Sequence, residues 1–569
     1  MSSYDQTYVR EEAASGVRRW PRYVYPIATA VAILGGVIPR LDNFARSLWA
    51  AEAWVANSVL AKSLHGMFYY EHWLQTTPPL FLLLVRASVK LFGLSDYSLR
   101  AIPFLFGIAG LALIAILAWR MFQPAFAVLC VCLMALSPPA IVYAKELKQY
   151  SADVFATCSI LLALWQYLET PNRRRFLYLL VVIALILPLS YTAVALVPLA
   201  LWVVAVSKTE DHIQVATESC TRRAATLGLL ASAIAGINYF VFIKPNSSPL
   251  LKGFWEGGFP HWGSLRNLVR FYTENFAPMV LYFYFPAQSS TKDGLKSWVL
   301  SLPIAILLAL GVGAVVFVVV VLIALRKDHR YRVATLFFVL PFLTLVALNM
   351  AHMYPVGSRR LTLFMLPCVV IITTAGLEAA WNVFVVPRIT VVSGRRVLGT
   401  ATALGVAAVL VLGYWSAGWD IDWSQDEDTE SVFRYLRTNV QGGDTIYIHA
   451  SVEEAARLYF TMLRWAPLDV RYGHTGLPCC KRQLEQRPND SADLRSYITQ
   501  SFDHTLTSPL PAKLWLVFTA RAEHWQYLNV RENVVIQDRL SELGCTKQLE
   551  QNFENEVIDK YSCLPGHAN

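Results

Sequence analysis

PPLFLLLVRASVKLFG, residues 78–93, decides the architecture of this 569-residue chain, because counting it as a membrane crossing inverts the sidedness of everything after it. The run is apolar but short, about 14 to 16 residues against the roughly 20 a helix needs to cross a bilayer core. Arg86 and Lys90 interrupt it. A stretch so short and charged reads as an interfacial or re-entrant helix, not a span.

Outward from that segment, eleven apolar runs read as spans: 23–40, 99–119, 124–142, 151–169, 176–188, 190–206, 224–243, 297–325, 333–350, 361–386 and 397–415. The stretch 176–206 is too long for one ordinary span, and LPLSYT at 187–192 supplies the Pro, Ser and Thr of a turn that divides it. The composition agrees. Hydrophobic residues make up 55% and charged residues only 16%, against about 25% charged in soluble domains. A soluble single-core protein is excluded. The net charge of +9 lies beside apolar runs, where topology explains it, so nucleic acid is not implied.

The positive-inside rule tests the assignment of 78–93 independently. With that segment left uncrossed, the connections bearing Arg120, Arg173 to Arg175, Lys208, Arg222, Arg223, Arg326, Lys327, Arg330, Arg332, Arg388, Arg395 and Arg396 share one side. Only Glu210, Asp211, Glu218 and Asp328 oppose them there. Residues 1–22, with Arg10, Arg18, Arg19 and Arg22, join that side, and no small-residue cleavage site follows the first apolar run. The expectation is a multi-pass protein of the inner (plasma) membrane with a cytoplasmic N-terminus, a transmembrane region 23–415 and an exoplasmic (periplasmic) region 416–569.

That region alternates helical and strand-like stretches. DTESVFRYLRTNV (428–440) and VEEAARLYFTML (452–463) read as helices, GGDTIYIHA (442–450) as a turn and strand, and AKLWLVFTA (512–520) as a buried strand. A small α/β domain is expected. Cys545 with Cys563 is a reasonable disulfide pair on an exoplasmic face, vicinal Cys479 and Cys480 stay open, and no cysteines have zinc-finger spacing.

The topology gathers the unusual polar segments on the exoplasmic face: the first loop 41–98, KELKQY at 145–150, the aromatic-rich loop 244–296, and HMYPVGSRR at 352–360. Polar groups at membrane depth are costly unless they line a cavity or find partners, so their convergence points to a water-accessible site. The aromatic loop, with Trp255, Phe259, His261, Trp262 and Tyr272, is expected mostly to rest on the membrane.

Three of these stretches resemble a known family. RLDNFARSLWAAEAWVANSVL (40–60) followed by TTPPLFLLLVRASVKLFGLSDYSLRAIP (76–103) is similar to the first loop of GT-C glycosyltransferases, the protein mannosyltransferase/aminoarabinose transferase superfamily. SPPAIVYAKELKQYSADVF (137–155) resembles the second-loop signature of bacterial members, and YPVGSRRLTLFMLP (354–367) their late Tyr-Pro-x-Gly-x-Arg segment. The resemblance covers most of residues 20–380. It implies transfer of a hexosyl or pentosyl group from a polyprenyl-phosphate donor to an exoplasmic glycan, lipid or protein acceptor, typically with inversion. One departure stands out. The family usually has Asp-Glu where this chain has Ala51-Glu52.

Such a reaction needs cations for the departing lipid phosphate and one base for the acceptor hydroxyl. Glu52, between Trp49 and Trp54, is the expected base, with Asp42 or Glu71 as substitutes. Lys148 and Arg359 are the expected phosphate ligands, with Arg360 and Arg86 behind them, since Arg offers a bidentate fork and Lys a point charge. Glu71, His72, Glu146, Gln149, Tyr150 and Tyr354 are expected to line the sugar and acceptor pocket. No cofactor is implied by the residues, and a divalent metal stays open because the family's absent Asp is sometimes linked to one. Two other classes compete: a catalytically impaired or non-catalytic lipid-binding scaffold, which Ala51 keeps alive, and a transporter or flippase. The second predicts an internal repeat and charges at span centres, neither of which the sequence has.

Overall fold

The computed structural model describes residues 23–71, 76–207, 213–247, 255–261, 263–284, 328–356, 360–386, 428–473, 491–506, 510–519, 530–553 and 556–563. The N-terminal residues 1–22, the expected spans 297–325 and 397–415, and Cys479 and Cys480 lie outside them.

The chain is a polytopic α-helical membrane protein with a small C-terminal sheet region. Among the described residues, helices long and apolar enough to cross a bilayer are Val24–Leu41 (α1), Asp96–Met121, Tyr150–Glu169, Cys220–Asn246, His329–Met350 and Leu363–Phe384. Pro124–Ala135, Tyr191–Val206 and Arg173–Ile186 are shorter apolar helices. The expected span 124–142 is not continuous. Its helix stops at Ala135, and Pro138-Pro139 begins a separate short turn of helix, Pro138–Val142, because proline supplies no N–H and disfavours helix in the residue before it. The 176–206 stretch divides as expected, with Arg173–Ile186 ending just before the turn at 187–190.

Between α1 and the next span lie, among the described residues, three helices too short to cross a bilayer: Ala50–Leu60 (α2), the five-residue Leu64–Phe68, and Pro79–Phe92 (α3). The deciding segment is therefore a helix of 14 residues, about 21 Å long at 1.5 Å per residue and short of the roughly 30 Å hydrocarbon core. Pro79 starts it, and Gly93 at φ +80° ends it in a conformation open to glycine. Phe81, Leu82 and Val85 bury one face, while Leu91 and Phe92 stay exposed. That buried face packs on α2 and on the following span Asp96–Met121 (α4).

Small residues set two close approaches. A Cβ on Gly36 of α1 would meet Ala135 at 2.8 Å, and one on Gly107 of α4 would meet Ala144 at 2.7 Å. Helices in lipid approach closely where side chains are small. The second contact seats the connection 143–149 directly on α4, just before the span Tyr150–Glu169 (α5).

In the C-terminal region, strands Thr445–Ile448 (β1), Val470–Tyr472 (β2), Lys513–Thr519 (β3), Cys545–Asn552 (β4) and Glu556–Cys563 (β5) form one sheet in the order β2-β1-β3-β5-β4. β1 runs parallel to β2 and β3, while β5 is antiparallel to β3 and β4. Cys545 and Cys563, paired across β4 and β5, form the expected disulfide. Helix Glu453–Met462 (α6) packs on α2. The contact is polar and specific: Asn57 Nδ2 donates to the Glu454 carboxylate at 2.7 Å, Tyr70 Oη donates to it at 2.8 Å, and the Leu48 amide donates to Tyr459 Oη at 2.7 Å. The first loop is thus held between the membrane helices and the sheet region.

Candidate functional site

Glu52 occupies the third position of α2, where its side chain turns back to accept from the Trp49 amide at 3.4 Å. Both carboxylate oxygens are taken up by Arg100, from the second turn of α4: Nε to Oε1 at 2.9 Å and Nη2 to Oε2 at 2.6 Å. Arg100 also donates to the carbonyls of Phe44, Arg46 and Ser47, curling the start of the first loop around the guanidinium. Both side chains are fully buried. The Leu147 amide completes the carboxylate's shell, donating to Oε1 at 2.6 Å. Burial alone raises a carboxyl pKa. Here the charge and hydrogen bonds of Arg100, with Arg46 and the Leu147 amide, outweigh it and hold Glu52 below the ordinary carboxylate range.

Leu147 lies between Glu146 and Lys148, so this contact fixes the backbone that carries both. Lys148 is 2% exposed and Glu146 4%, and a backbone turn joins them, the Lys148 amide donating to the Glu146 carbonyl at 2.7 Å. Lys145 ties the same segment to α1 by donating to the Asp42 carbonyl at 3.0 Å. Arg46 Nη2 stands 3.9 Å from Glu146 Oε1, and Lys148 Nζ lies 5.9 Å from the centre of the Trp49 ring. Burial pushes Glu146 up to about 7, against the pull of Arg46, Arg360 and Lys148. Burial and Arg360 bring Lys148 down to about 7.

The late segment supplies Arg360. Asn349, near the end of the span His329–Met350 (α7), donates to the carbonyls of Gly258 and Tyr354 and accepts from Tyr272 Oη. Tyr354 Oη in turn donates to the Leu361 carbonyl at 2.7 Å. Arg360 lies 5.7 Å over the Trp255 ring and faces Tyr150, Tyr143, Glu146 and Tyr282, which hold it in its charged form. At two described positions the aromatic loop packs against the late segment. Trp255 carries Arg360, and Phe259 stacks on His352 at 5.0 Å.

The structure thus brings together Glu52, Glu146, Lys148, Gln149, Tyr150, Tyr354 and Arg360. It does not bring in Asp42, which is exposed and contributes only its carbonyl to Lys145, or the exposed Glu71. Arg86 also falls away, reaching toward the carbonyls of Lys62 and Ser63 beyond the opposite end of α2. His72 and Arg359 lie outside the described residues. Glu52, expected as the base, is held ionised by the Arg100 fork and the Leu147 amide, which weakens a carboxylate as a base and ties α2 to α4 and to the 143–149 connection. Sequence reading passed over Arg46, Arg100 and Tyr143. Arg100 had a signal, being a charge in the opening turns of a long apolar helix.

Three buried polar atoms in this cluster have no hydrogen-bond partner among the described residues: Glu146 Oε2, Gln149 Oε1 and Trp49 Nε1. Buried polar groups are almost always paired, and these three stand open beside clustered cations. Among the described residues no group of three His, Cys, Asp or Glu is placed to hold a metal. The cations around Glu146 make it a poor divalent-metal ligand.

Cations thus converge from the first loop (Arg46), the 143–149 connection (Lys148) and the late segment (Arg360) of a polytopic membrane protein. The fold is that of two solved membrane proteins, ArnT from Cupriavidus metallidurans and the oligosaccharyltransferase of Archaeoglobus fulgidus. The chain aligns over 94% of its length with 97% of ArnT from Cupriavidus metallidurans in the apo state (TM-score 0.50, 14% identity). With the same protein bound to undecaprenyl phosphate the figures are 95% and 98% (TM-score 0.50, 11% identity). The apo oligosaccharyltransferase of Archaeoglobus fulgidus aligns with 88% of this chain over 70% of its own (TM-score 0.50, 14% identity). Residues 76–235 match the family described as dolichyl-phosphate-mannose-protein mannosyltransferase. No curated protein sequence is significantly similar.

Proposed function

We propose that this chain is a membrane glycosyltransferase that takes a sugar from a polyprenyl-phosphate donor and passes it, with inversion, to an exoplasmic glycan, lipid or protein acceptor. The observation that carries the reading is the buried Lys148, set with Arg360 and Arg46 around unfilled polar atoms. Inverting transfer from a lipid phosphate asks of the protein mainly positive charge at the leaving group, since an acidic phosphate departs without a proton. ArnT binds undecaprenyl phosphate, and the same lipid suits this site: an anionic head for Lys148 and Arg360, and a tail that stays in the bilayer beside the spans.

The topology belongs to the same proposal. The first loop and the sheet region contact each other through Asn57, Tyr70 and Glu454, so both occupy one side of the membrane. The positive-inside pattern makes that side exoplasmic and residues 1–22 cytoplasmic, in an inner (plasma) membrane.

The test is binding of undecaprenyl phosphate to purified protein in nanodiscs, together with mass spectrometry of envelope lipids and glycans from cells with and without the chain. Saturable binding that Lys148→Met weakens at least tenfold, with one glycosylated product lost in the null cells, supports the proposal. Equal binding by wild type and Lys148→Met, with unchanged envelopes, returns the chain to the non-catalytic reading.

A further inference from the structure

Ala51 precedes Glu52 in the first loop, and Glu52 is consumed by Arg100 and the Leu147 amide. A transfer to a hydroxyl still needs a group to take the proton. We infer that Glu146, on the 143–149 connection, is this group and that the acceptor is a hydroxyl. This rests on the glycosyltransferase reading of the same site.

Geometry carries the assignment. Glu146 is 4% exposed, and its Oε2 has no hydrogen-bond partner among the described residues, so one lone-pair face is open. The other oxygen, Oε1, faces Arg46 across 3.9 Å, too far for a hydrogen bond and near enough to orient the carboxylate. Around it stand Arg46 from the first loop, Lys148 from its own segment, Arg360 from the late segment, the ionised Glu52, and the phenols of Tyr143 and Tyr150. The base and the cations proposed for the phosphate thus lie on neighbouring residues, with Glu52 pinning the amide between them. Burial also raises the basicity of Glu146 to about 7, where it is both ionised in part and strong enough to pull a hydroxyl proton in the transition state. A phosphate acceptor, already anionic, has no use for such a base.

The step balances without a further reactant. As the acceptor oxygen bonds the anomeric carbon, its proton passes to Glu146 Oε2. The bond from the anomeric carbon to the phosphate oxygen breaks, and its electron pair leaves on polyprenyl phosphate, between Lys148 and Arg360.

The experiment compares Glu146→Gln, Glu146→Asp and Lys148→Met in the null cells, reading product by mass spectrometry and undecaprenyl phosphate binding on the purified proteins. Glu146→Gln is expected to lower product formation on the order of 10²–10⁴-fold while binding undecaprenyl phosphate as well as wild type, with Glu146→Asp partly active. Product at the wild-type rate from Glu146→Gln, alongside loss in Lys148→Met, overturns the base and leaves the glycosyltransferase reading standing. Wild-type protein that neither binds undecaprenyl phosphate nor makes product overturns both. Where Glu146→Gln loses binding as well, the pH profiles decide. Wild-type activity rising through about pH 7, with the Glu146→Asp profile displaced from it, supports the inference; coincident profiles overturn it.

Discussion

The carboxylate of Glu52 accepts the Leu147 amide at 2.6 Å while Arg100 grips both its oxygens. One buried ion pair therefore joins three elements: the first-loop helix α2, the span α4 and the connection that carries Glu146 and Lys148. Its value is positional, because a buried pair gains little net stability over well-packed apolar residues, yet removing one partner strands the other.

From this follows a prediction about stability. Glu52→Gln leaves Arg100 buried without its counter-charge and is expected to cost about 3–5 kcal/mol, seen as a large drop in thermal midpoint in detergent. The double replacement Glu52→Leu with Arg100→Met is expected to recover much of that midpoint and none of the transfer, since the Leu147 amide loses its acceptor. A Glu52→Gln protein as stable as wild type contradicts the tie.

Arg360 lies 5.7 Å over the Trp255 ring and interacts through its charge with Tyr150 and Tyr143. Arg360→Ala is expected to weaken transfer by two or more orders of magnitude, equivalent to about 3–4 kcal/mol at an oxyanion-stabilising contact. Arg360→Lys restores the charge without the fork and should recover only part. Equal activity in Arg360→Lys and wild type would show that charge alone matters there.

How much of this was legible in the sequence differs by kind of residue. The 14-residue length of α3, its charges, and the turn after Ile186 were readable because span length and turn chemistry are local properties. The break at Leu136–Ser137 was also written locally, in Pro138-Pro139, but the surrounding apolar run masked it. Lys148, Glu146 and Arg360 could be named from convergence on one face. Their roles could not, because the fate of Glu52 depends on Arg100, which is 48 residues away in sequence, and on an amide 95 residues away. A carboxylate at a motif position looks the same in one dimension whether it is open or saturated.

The contact between Leu48 and Tyr459 links the sheet region to the site, since Leu48 lies between the Ser47 carbonyl that Arg100 holds and the Trp49 amide that Glu52 accepts. Tyr459→Phe leaves a buried amide without an acceptor and should cost about 1–3 kcal/mol. Hydrogen exchange should then show lost protection in residues 44–52 ahead of the strands. Unchanged protection there would mean that the sheet region merely rests on the first loop. Reporter fusions address the sidedness: one at Asn569 is expected to be exoplasmic, and ones at Arg174 and Lys327 cytoplasmic.

The last prediction concerns the cost of keeping Lys148 buried. Burial and Arg360 lower its pKa from 10.5 to about 7 in the folded protein, while the unfolded chain keeps the ordinary value. Below about pH 7 both states carry the proton, and the full penalty of a buried charge falls on the folded state. Between about 7 and 10.5 the unfolded chain binds the extra proton, so stability rises with pH across that window. Lys148→Met, which removes the charge and keeps the stem, should therefore melt a few degrees higher than wild type at pH 6, with the gap narrowing steadily from about pH 7 to pH 9. The Glu146 shift to about 7 works in the opposite sense from about 4.5 upward, so the comparison is best repeated in Glu146→Gln protein, where only the lysine titrates. Thermal midpoints measured across that range decide it: a Lys148→Met protein less stable than wild type at pH 6 in both backgrounds would show that Lys148 is held by favourable contacts and not kept in place for function at a cost in stability.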